Sequence, residues 1–218
     1  MKSLKYIGLV LTVFTLVGCS STVKVSDTWK DVKLTDVREK KVMVISKTED
    51  IIVREQMERD MVEGLKNEGV ESISSITKFP SLSSDKKLSK EEISELKGEL
   101  QNEGIELVLL SVLKDVQEYT KTTTSGTGYT VSTGPVFYRR GYYRSFYRFY
   151  GDFYYNSGTE TSVTSQGKKY IIETIIYDLT QPEQNQLMSV ITTTIDNPET
   201  LGTTSEDFSK KVIKELVK

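Results

Sequence analysis

Histidine is absent from this sequence, and cysteine occurs once, at Cys19. The lack of histidine removes the commonest general base and the commonest metal ligand of proteins. A single cysteine excludes an internal disulfide, and a cysteine with another role leaves no thiol for a zinc site or a nucleophile. Acid–base catalysis would have to come from Asp, Glu, Tyr or Lys alone, so we expect a protein that is not an enzyme and that uses no metal and no cofactor.

The sequence also lacks a strong excess of charge of either sign, because its 218 residues carry a formal net charge of −2. That balance does not favour nucleic acid or an acidic polymer as a partner. The length is sufficient for one domain with a substantial apolar core. We therefore expect a single domain and no nucleic-acid function.

Long hydrophobic runs are rare, and the one at residues 6–16 follows Lys2 and Lys5 at the amino terminus. This run is too short to cross a bilayer, which requires about 20 helical residues. It has the length of the apolar region of a secretory signal peptide, which small residues follow at the processing site. The pattern predicts that residues 1–18 are an export leader.

The leader ends in a four-residue motif, Leu16-Val17-Gly18-Cys19, that resembles a bacterial lipobox. The resemblance implies that the thiol of Cys19 receives a diacylglycerol and that its freed amine is then acylated, so that the lipid bilayer is a partner of the mature protein. The alternative is an ordinary leader with a coincidental cysteine. In Gram-negative bacteria, a serine such as Ser20 after the cysteine is typical of outer-membrane lipoproteins facing the periplasm.

Apolar periodicity predicts a strand followed by a helix in the first part of the chain. Residues 41–46 (KVMVIS) are apolar and rich in β-branched side chains, which favours a buried strand. Thr48 suits a helix start, with Arg54 and Glu58 on its solvent side. The apolar stripe of this helix consists of residues spaced by four: Val53, Met57, Met61 and Leu65.

The same alternation continues toward the middle of the chain. Residues 70–77 predict a second strand, and residues 105–113 a third, strongly apolar one. Between them, Ser89 and Glu92 form a capping-box pattern at the start of a helix. A strand–helix–strand–helix–strand order at these lengths favours crossover connections and parallel pairing.

The remaining elements are an antiparallel hairpin and a closing helix. Residues 170–179 and 187–195 predict two strands joined by a turn, and residues 205–218 predict an amphipathic helix. The expected fold class is α/β, a three-layer-like mixed sheet built from βαβαβ, the hairpin and the carboxyl-terminal helix. The expected organisation is a lipidated tether at residues 19–38, which includes a first strand-like stretch anchored by Trp29, and one domain at residues 39–218, with an insertion at residues 120–167.

The order of these segments resembles a group of small Gram-negative lipoproteins of unassigned function. The resemblance rests on Trp29 ahead of KVMVIS, on Arg54 opening REQMERDMVEGLKNEGV, on IELVLLSVL, and on YDL at residues 177–179. It implies a fold like that of the amino-terminal domain of the translocation protein TolB. Relatives with known roles bind other envelope proteins or assemble into larger structures, which implies an envelope protein as partner. No functional residue of theirs maps onto this chain.

The segment at residues 135–155 departs from that pattern, because it interleaves tyrosine and phenylalanine with arginine. Such a mixture can stack on sugars, clamp carboxylates or phosphates, or anchor a protein interface. A β-hairpin that extends the sheet and a mobile low-complexity loop are the two alternatives. If it is a binding surface, the candidate residues are Arg139, Arg140, Tyr142, Tyr143, Arg144, Tyr147 and Arg148.

These observations predict a membrane-anchored envelope lipoprotein with a non-enzymatic interaction or scaffolding role. The alternative is a glycan-binding or small-ligand-binding module that uses residues 135–155. An enzyme would require converging carboxylates, and Glu173, inside an apolar strand, is the one candidate of this kind, unless that strand has a solvent-facing side on which Glu173 is simply exposed. Asp178, beside the predicted turn, is more simply explained by local hydrogen bonds.

Overall fold

The structure is a computed structural model, and it describes residues 22–31, 37–79, 88–119, 128–130, 167–198 and 200–217. The strands in these residues are β1 (Val23–Lys30), β2 (Val42–Lys47), β3 (Ser72–Ser74), β4 (Leu107–Tyr119), β5 (Gly128–Thr130), β6 (Gly167–Asp178) and β7 (Leu187–Asp196). The α-helices are α1 (Ile51–Asn67), α2 (Ser75–Lys78), α3 (Lys90–Asn102) and α4 (Leu201–Leu216).

One mixed sheet contains all seven described strands, in the order β1-β7-β6-β4-β2-β3, with β5 paired to β4. β2 runs parallel to both β3 and β4. The pairs β4–β6, β6–β7 and β7–β1 are antiparallel. The α/β class, the parallel crossover unit and the antiparallel hairpin predicted from the sequence are therefore confirmed.

The sheet carries an apolar core on each face because side chains of a strand alternate between its two faces. In β2, Val42 and Val44 belong to one core, and Met43 and Ile45 belong to the other. Helices α1 and α4 cover the first core through residues such as Leu65, Phe208 and Val212, and α3 covers the second through Leu96 and Leu100. The result is three layers, with the sheet in the middle.

Side-chain caps fix where α1 and α3 begin. Asp50 caps α1, because its Oδ1 accepts hydrogen bonds from the backbone N–H groups of Ile52 (2.9 Å) and Val53 (3.2 Å). This start lies close to the predicted one at Thr48. The capping box of α3 is confirmed, since the N–H of Ser89 donates to Glu92 Oε2 (2.8 Å) and the N–H of Glu92 donates to Ser89 Oγ (3.2 Å).

The predicted solvent side of α1 is wrong at two positions. Arg54 and Glu58 are 4% and 0% exposed, respectively, and form an ion pair with 3.0 Å between Arg54 Nε and Glu58 Oε1. The same carboxylate oxygen accepts the backbone N–H of Ser46 in β2 (2.9 Å). Both charged groups are buried because they satisfy each other and the neighbouring strand, which helical periodicity alone does not reveal.

The strand predicted at residues 70–77 is also too long. β3 ends at Ser74, and the chain then turns into the short helix α2. The Glu58 carboxylate accepts hydrogen bonds from Ser74 Oγ (2.7 Å), Ser75 Oγ (2.8 Å) and the N–H of Ile76 (2.9 Å). These bonds hold the chain against α1 in a turn where β-branched residues alone predicted continued strand.

The sheet extends further toward the amino terminus than the predicted domain boundary at residue 38. β1 pairs antiparallel with β7, Val23 is fully buried, and Trp29 packs against the core covered by α3. The hydroxyl of Ser189 also donates a hydrogen bond to the carbonyl of Trp29 (2.9 Å). The domain therefore begins within the stretch predicted as a tether.

Helix α4 begins at Leu201, four residues before the predicted start at Ser205. The hydroxyl of Thr200 caps it by accepting a hydrogen bond from the N–H of Thr203 (3.3 Å). A hydroxyl at the cap satisfies a backbone donor that the helix leaves open at its first turn. The additional turn places Leu201 and Thr204 beside the sheet.

Candidate functional site

An apolar groove lies at the end of the sheet where the parallel strand β2 terminates. Its volume is about 430 Å³, and its walls come from the first turns of α1 and α4 and from the adjoining parts of β4, β6 and β7. Ligand sites of α/β proteins occur preferentially at the carboxyl ends of parallel strands. The apolar walls include Val53, Met57, Leu113, Ile172, Ile195 and Phe208.

The two helices that flank the groove touch each other further along. A Cβ atom placed on Gly64 of α1 would lie 2.5 Å from the Cδ1 atom of Ile213 in α4. Glycine at this point therefore permits a close approach, and a larger residue would require the end of the Ile213 side chain to move. The groove opens near the amino-terminal ends of the same two helices, where Met57 and Phe208 line it.

Exposed apolar side chains lie at the first turns of these two helices. Ile51 and Ile52 are 58% and 67% exposed, and Leu201, which also lines the groove, is 37% exposed. Ile51 and Ile52 directly precede Val53, another lining residue. Large apolar side chains grouped beside an apolar cavity are typical of an interaction surface.

Six serine and threonine residues contribute to the lining beside the apolar side chains, together with the cation Lys47. Ser111 Oγ lies 3.1 Å from Thr174 Oγ1, so these two hydroxyls satisfy each other. Ser205, which is 2% exposed, has a buried Oγ with no hydrogen-bond partner among the described residues. A buried polar atom of this kind costs free energy unless another group reaches it. Asp and Glu are missing from the described residues that line the groove.

The amino-terminal segment of the chain reaches the sheet at this same end. Val23, the first residue of β1, pairs with Ile195, which lines the groove. The N–H of Asp196 donates a hydrogen bond to the carbonyl of Thr22 (3.0 Å). Cys19 lies outside the described residues, four positions before Val23. At no more than about 3.6 Å per residue, this spacing limits Cys19 to within about 14 Å of the start of β1.

The predicted insertion is attached to the same end of the sheet. Strands β4 and β6 pair as far as Tyr119 and Gly167, and between these two residues the chain returns to the sheet once, at β5, which pairs with β4. The Tyr119 hydroxyl donates a 2.6 Å hydrogen bond to Asp196 Oδ1, which, with burial and the carboxylate charge, raises the pKa of Tyr119. A Cβ on Gly167 would lie 2.5 Å from Tyr119 Cζ, so glycine allows the ring to pack directly on the backbone.

The site residues predicted from the sequence lie outside the described residues. These are the lipid-attachment residue Cys19 and the candidate binding residues Arg139, Arg140, Tyr142, Tyr143, Arg144, Tyr147 and Arg148. The structure therefore leaves the hairpin, loop and binding-surface interpretations of residues 135–155 as predictions. Sequence reasoning missed the groove. One available signal was the run Ile51-Ile52-Val53, which carries more apolar surface than the helix stripe requires.

The carboxylates of Glu173 and Asp178 do not converge on a common site. Glu173 is buried and lies 3.4 Å from Lys114 Nζ, measured from its Oε2. Asp178 is five positions further along β6, which corresponds to about 16 Å of strand. Burial acts to raise the pKa of Asp178, but hydrogen bonds from Lys40 and Thr180 and the charge of Lys40 lower it on balance. Each carboxylate thus has its own local partners.

Two further observations concern metals and membranes. Among the described residues, no group of three or more Asp, Glu, Cys or His side chains is arranged to hold a metal ion. None of the described helices is both long enough and apolar enough to cross a membrane.

The chain matches no protein-family profile and no curated protein sequence. Among solved structures, a PelC dodecamer from Paraburkholderia phytofirmans is similar at 10% identity, with 89% of this chain and 96% of that chain covered and a TM-score of 0.45. A DUF4136 family protein from Bacteroides thetaiotaomicron is similar at 12% identity, with 91% and 98% covered and a TM-score of 0.41. Likeness at these TM-scores carries no functional argument, and the TolB-like fold stays a prediction.

Proposed function

We propose that this protein is a lipid-anchored component of the bacterial cell envelope with a non-enzymatic interaction or scaffolding role. The observation that carries the proposal is the lipobox-like sequence ending at Cys19, four residues before the first strand of the domain. Two or more acyl chains hold a protein firmly on a membrane, whereas one gives marginal binding. A short connection would keep the domain close to that membrane, where partners are concentrated in a thin layer.

Metabolic labelling tests the anchor directly. Cells expressing the wild-type chain with a palmitate analogue should yield a labelled mature protein, and Cys19→Ser should abolish the label. Globomycin should block processing of the wild-type precursor. A wild-type product that is unlabelled and freely diffusing would refute the proposal.

The residue after Cys19 determines the proposed membrane location. In a Gram-negative host, Ser20 should direct the lipidated protein to the outer membrane, facing the periplasm. The variant Ser20→Asp offers a matched control, because it should stay labelled at Cys19 but fractionate with the inner membrane. Equal fractionation of the two forms would contradict the outer-membrane assignment.

The scaffolding role requires a protein partner in the envelope. Mild crosslinking of intact cells followed by purification of the native protein should recover one or more envelope proteins in defined stoichiometry. The same procedure on Cys19→Ser should recover less, because the unanchored chain loses its local concentration. Isolation of the wild-type protein free of all envelope proteins would count against a scaffold.

The second candidate is binding of a glycan or small ligand by residues 135–155. The observation that favours it is that the insertion begins at a fixed point of the sheet, because the hydroxyl of Tyr119 donates a hydrogen bond to Asp196 Oδ1. Stacking on a sugar requires the aromatic rings. Replacing Tyr142, Tyr143 and Tyr147 by Ala should therefore remove retention on peptidoglycan or polysaccharide, while replacement by Phe should preserve much of it. Unchanged retention in the Ala variant would reject this site.

A further inference from the structure

We propose that the apolar groove holds one acyl chain of the lipid carried by Cys19 of the same molecule. This proposal rests on the proposed lipidation and adds a bound position for part of the lipid. Its basis is the shared location of the groove, the exposed residues Ile51, Ile52 and Leu201, and the start of β1.

The side chains that line the groove favour an uncharged, apolar ligand. The walls are largely apolar, and the described lining residues include one cation, Lys47, and no carboxylate. A segment rich in arginine, such as residues 135–155, would bring positive charge into a site that offers no counter-charge. An uncharged hydrocarbon chain adds no charge to the groove and covers its apolar walls. The groove volume of about 430 Å³ is also within the range of pockets that enclose small ligands.

The short connection between Cys19 and β1 indicates that the acyl chain comes from the lipid on Cys19. Val23 is fixed in the sheet opposite Ile195, and Ile195 lines the groove. The four residues from Val23 back to Cys19 span at most about 14 Å. A group held this close to a site by a short tether has an effective concentration of roughly millimolar. The protein's own acyl chain therefore competes well against free lipid.

Occupation of the groove would fix how the domain sits on the membrane. With one acyl chain in the groove, the remaining chains stay in the bilayer, and two are sufficient for stable anchoring. The groove end of the sheet then faces the lipid, and Ile51, Ile52 and Leu201 lie at the interface. The opposite end of the sheet, with the turn between β6 and β7, points away from the membrane.

The test uses the full chain in cells fed a palmitate analogue that carries a photoreactive diazirine. After irradiation, the monomeric protein is digested and crosslinked peptides are identified by mass spectrometry. We expect a peptide of α1 or α4, containing Met57 or Phe208, joined to the acylated Cys19 peptide. A groove peptide joined to a phospholipid, or a Cys19 crosslink found only in a dimer, would overturn the proposal by assigning another source.

Matched variants make the result specific to the groove. Thr204→Trp places a large ring in the groove, and the crosslink should fall by about fivefold or more, which is the factor that the typical cost of overpacking an apolar site corresponds to. Glu206→Trp, on the exposed side of the same helix, should leave it unchanged. Leu201→Asp, at the groove mouth, supplies a second blocking variant if Thr204→Trp does not fold.

The possible results distinguish failure of the groove proposal from failure of the proposed lipid anchor. A labelled Cys19 peptide without any groove crosslink would overturn the groove proposal and leave the anchor intact. A crosslink that persists equally in Thr204→Trp and Leu201→Asp would also overturn it. Absence of label on Cys19 would overturn the anchor and the groove proposal together.

Discussion

Arg54 and Glu58 form a buried ion pair one turn apart in α1, with 3.0 Å between Nε and Oε1. The pair sits at the junction of three elements, because Arg54 also donates to Ser75 Oγ (2.8 Å) and Glu58 accepts the N–H of Ser46. A carboxylate in this position joins helix α1 to β2 and to the segment after β3. The arrangement explains why the helix buries two charges next to its apolar stripe.

Glu58→Gln should therefore lower the free energy of unfolding strongly. The substitution leaves the Arg54 guanidinium buried without a charged partner, which costs about 3–5 kcal/mol. Chemical denaturation of the purified protein measures the change. The same helix supplies the control, since Glu55 pairs with Arg59 at 3.5 Å in a largely exposed position. Glu55→Gln should change stability by about 0.5 kcal/mol or less, and equal effects would contradict the assigned role of the buried pair.

The acid stability of the protein should depend on Asp178. This carboxylate accepts hydrogen bonds from Lys40 Nζ (2.6 Å), the N–H of Thr180 (3.0 Å) and Thr180 Oγ1 (2.6 Å), which keep its pKa below the usual value despite burial. Because the pKa of Asp178 is lower in the folded state than in the unfolded state, its ionised form stabilises the protein at pH values above the unfolded-state pKa of about 4. That contribution is lost as the pH falls through the folded-state pKa.

Asp178→Asn should remove this acid-dependent contribution. Unfolding measured between about pH 6 and pH 2 should show the wild type more stable at the neutral end, with the difference shrinking toward the acid end. Asp207→Asn, on α4 and apart from this network, serves as the control. A difference between wild type and Asp178→Asn that stays constant over the whole range would contradict the prediction.

The close contact between Gly167 and Tyr119 should make this glycine sensitive to substitution. Gly167→Ala places a methyl group 2.5 Å from Tyr119 Cζ, so the ring must move and its hydrogen bond to Asp196 must weaken. We expect a loss of about 1–3 kcal/mol in the free energy of unfolding. The pKa of the Tyr119 phenol, raised by that hydrogen bond, should fall toward its ordinary value, as carbon-13 tyrosine labelling would detect.

Substitution of Gly98, which has open space around it, should raise the free energy of unfolding instead of lowering it. Gly98 lies inside α3, and a Cβ there meets nothing within 4 Å. Gly98→Ala should raise the free energy of unfolding by about 0.5–1 kcal/mol, because alanine restricts the unfolded chain and suits a helix better. Destabilisation by Gly98→Ala would show that α3 packs differently at this residue.

The helix contact behind the groove can be tested by a double-mutant cycle. Gly64→Ala brings a methyl group to 2.5 Å from Ile213 Cδ1, and Ile213→Val removes that atom. Ile213→Val should be destabilised by about 0.5–1.5 kcal/mol, and Gly64→Ala should lose at least part of the stability that alanine ordinarily adds to a helix, because the Ile213 side chain must shift. The double variant should be more stable than the sum of the single changes predicts, with a coupling above about 0.5 kcal/mol. Additive effects would mean that α1 and α4 adjust without contact at this point.

Sequence periodicity was sufficient for most of the fold, because the information it uses is local. The stripe of α1, the capping box of Ser89 and Glu92, and the hairpin strands all follow from spacing and end signals. The burial of Arg54 and Glu58 could not be predicted in this way. Their partners, Ser46 and Ser75, come from other elements, and only the folded chain brings them together.

The groove escaped prediction for a related reason. Met57, Ile172 and Phe208 each fit an apolar pattern that predicts core, and no local signal distinguishes a residue that fills a core from one that borders a cavity. The residues of β1 predict a strand-like stretch, but they are mostly polar, and so they do not reveal that this strand joins the domain. An edge strand with one covered side needs few apolar residues to pair with its neighbour.

The antiparallel register of Tyr119 with Gly167 makes the sheet tolerant of what is inserted between them. Because the two strand ends are already neighbours, closing a longer loop costs only a slowly growing amount of chain entropy. β4 and β6 can keep this pairing when the residues between Thr130 and Gly167 change in length or composition, as long as β5 stays paired to β4. New sequences could therefore be acquired or exchanged at this position over evolution while the domain beneath them stays the same.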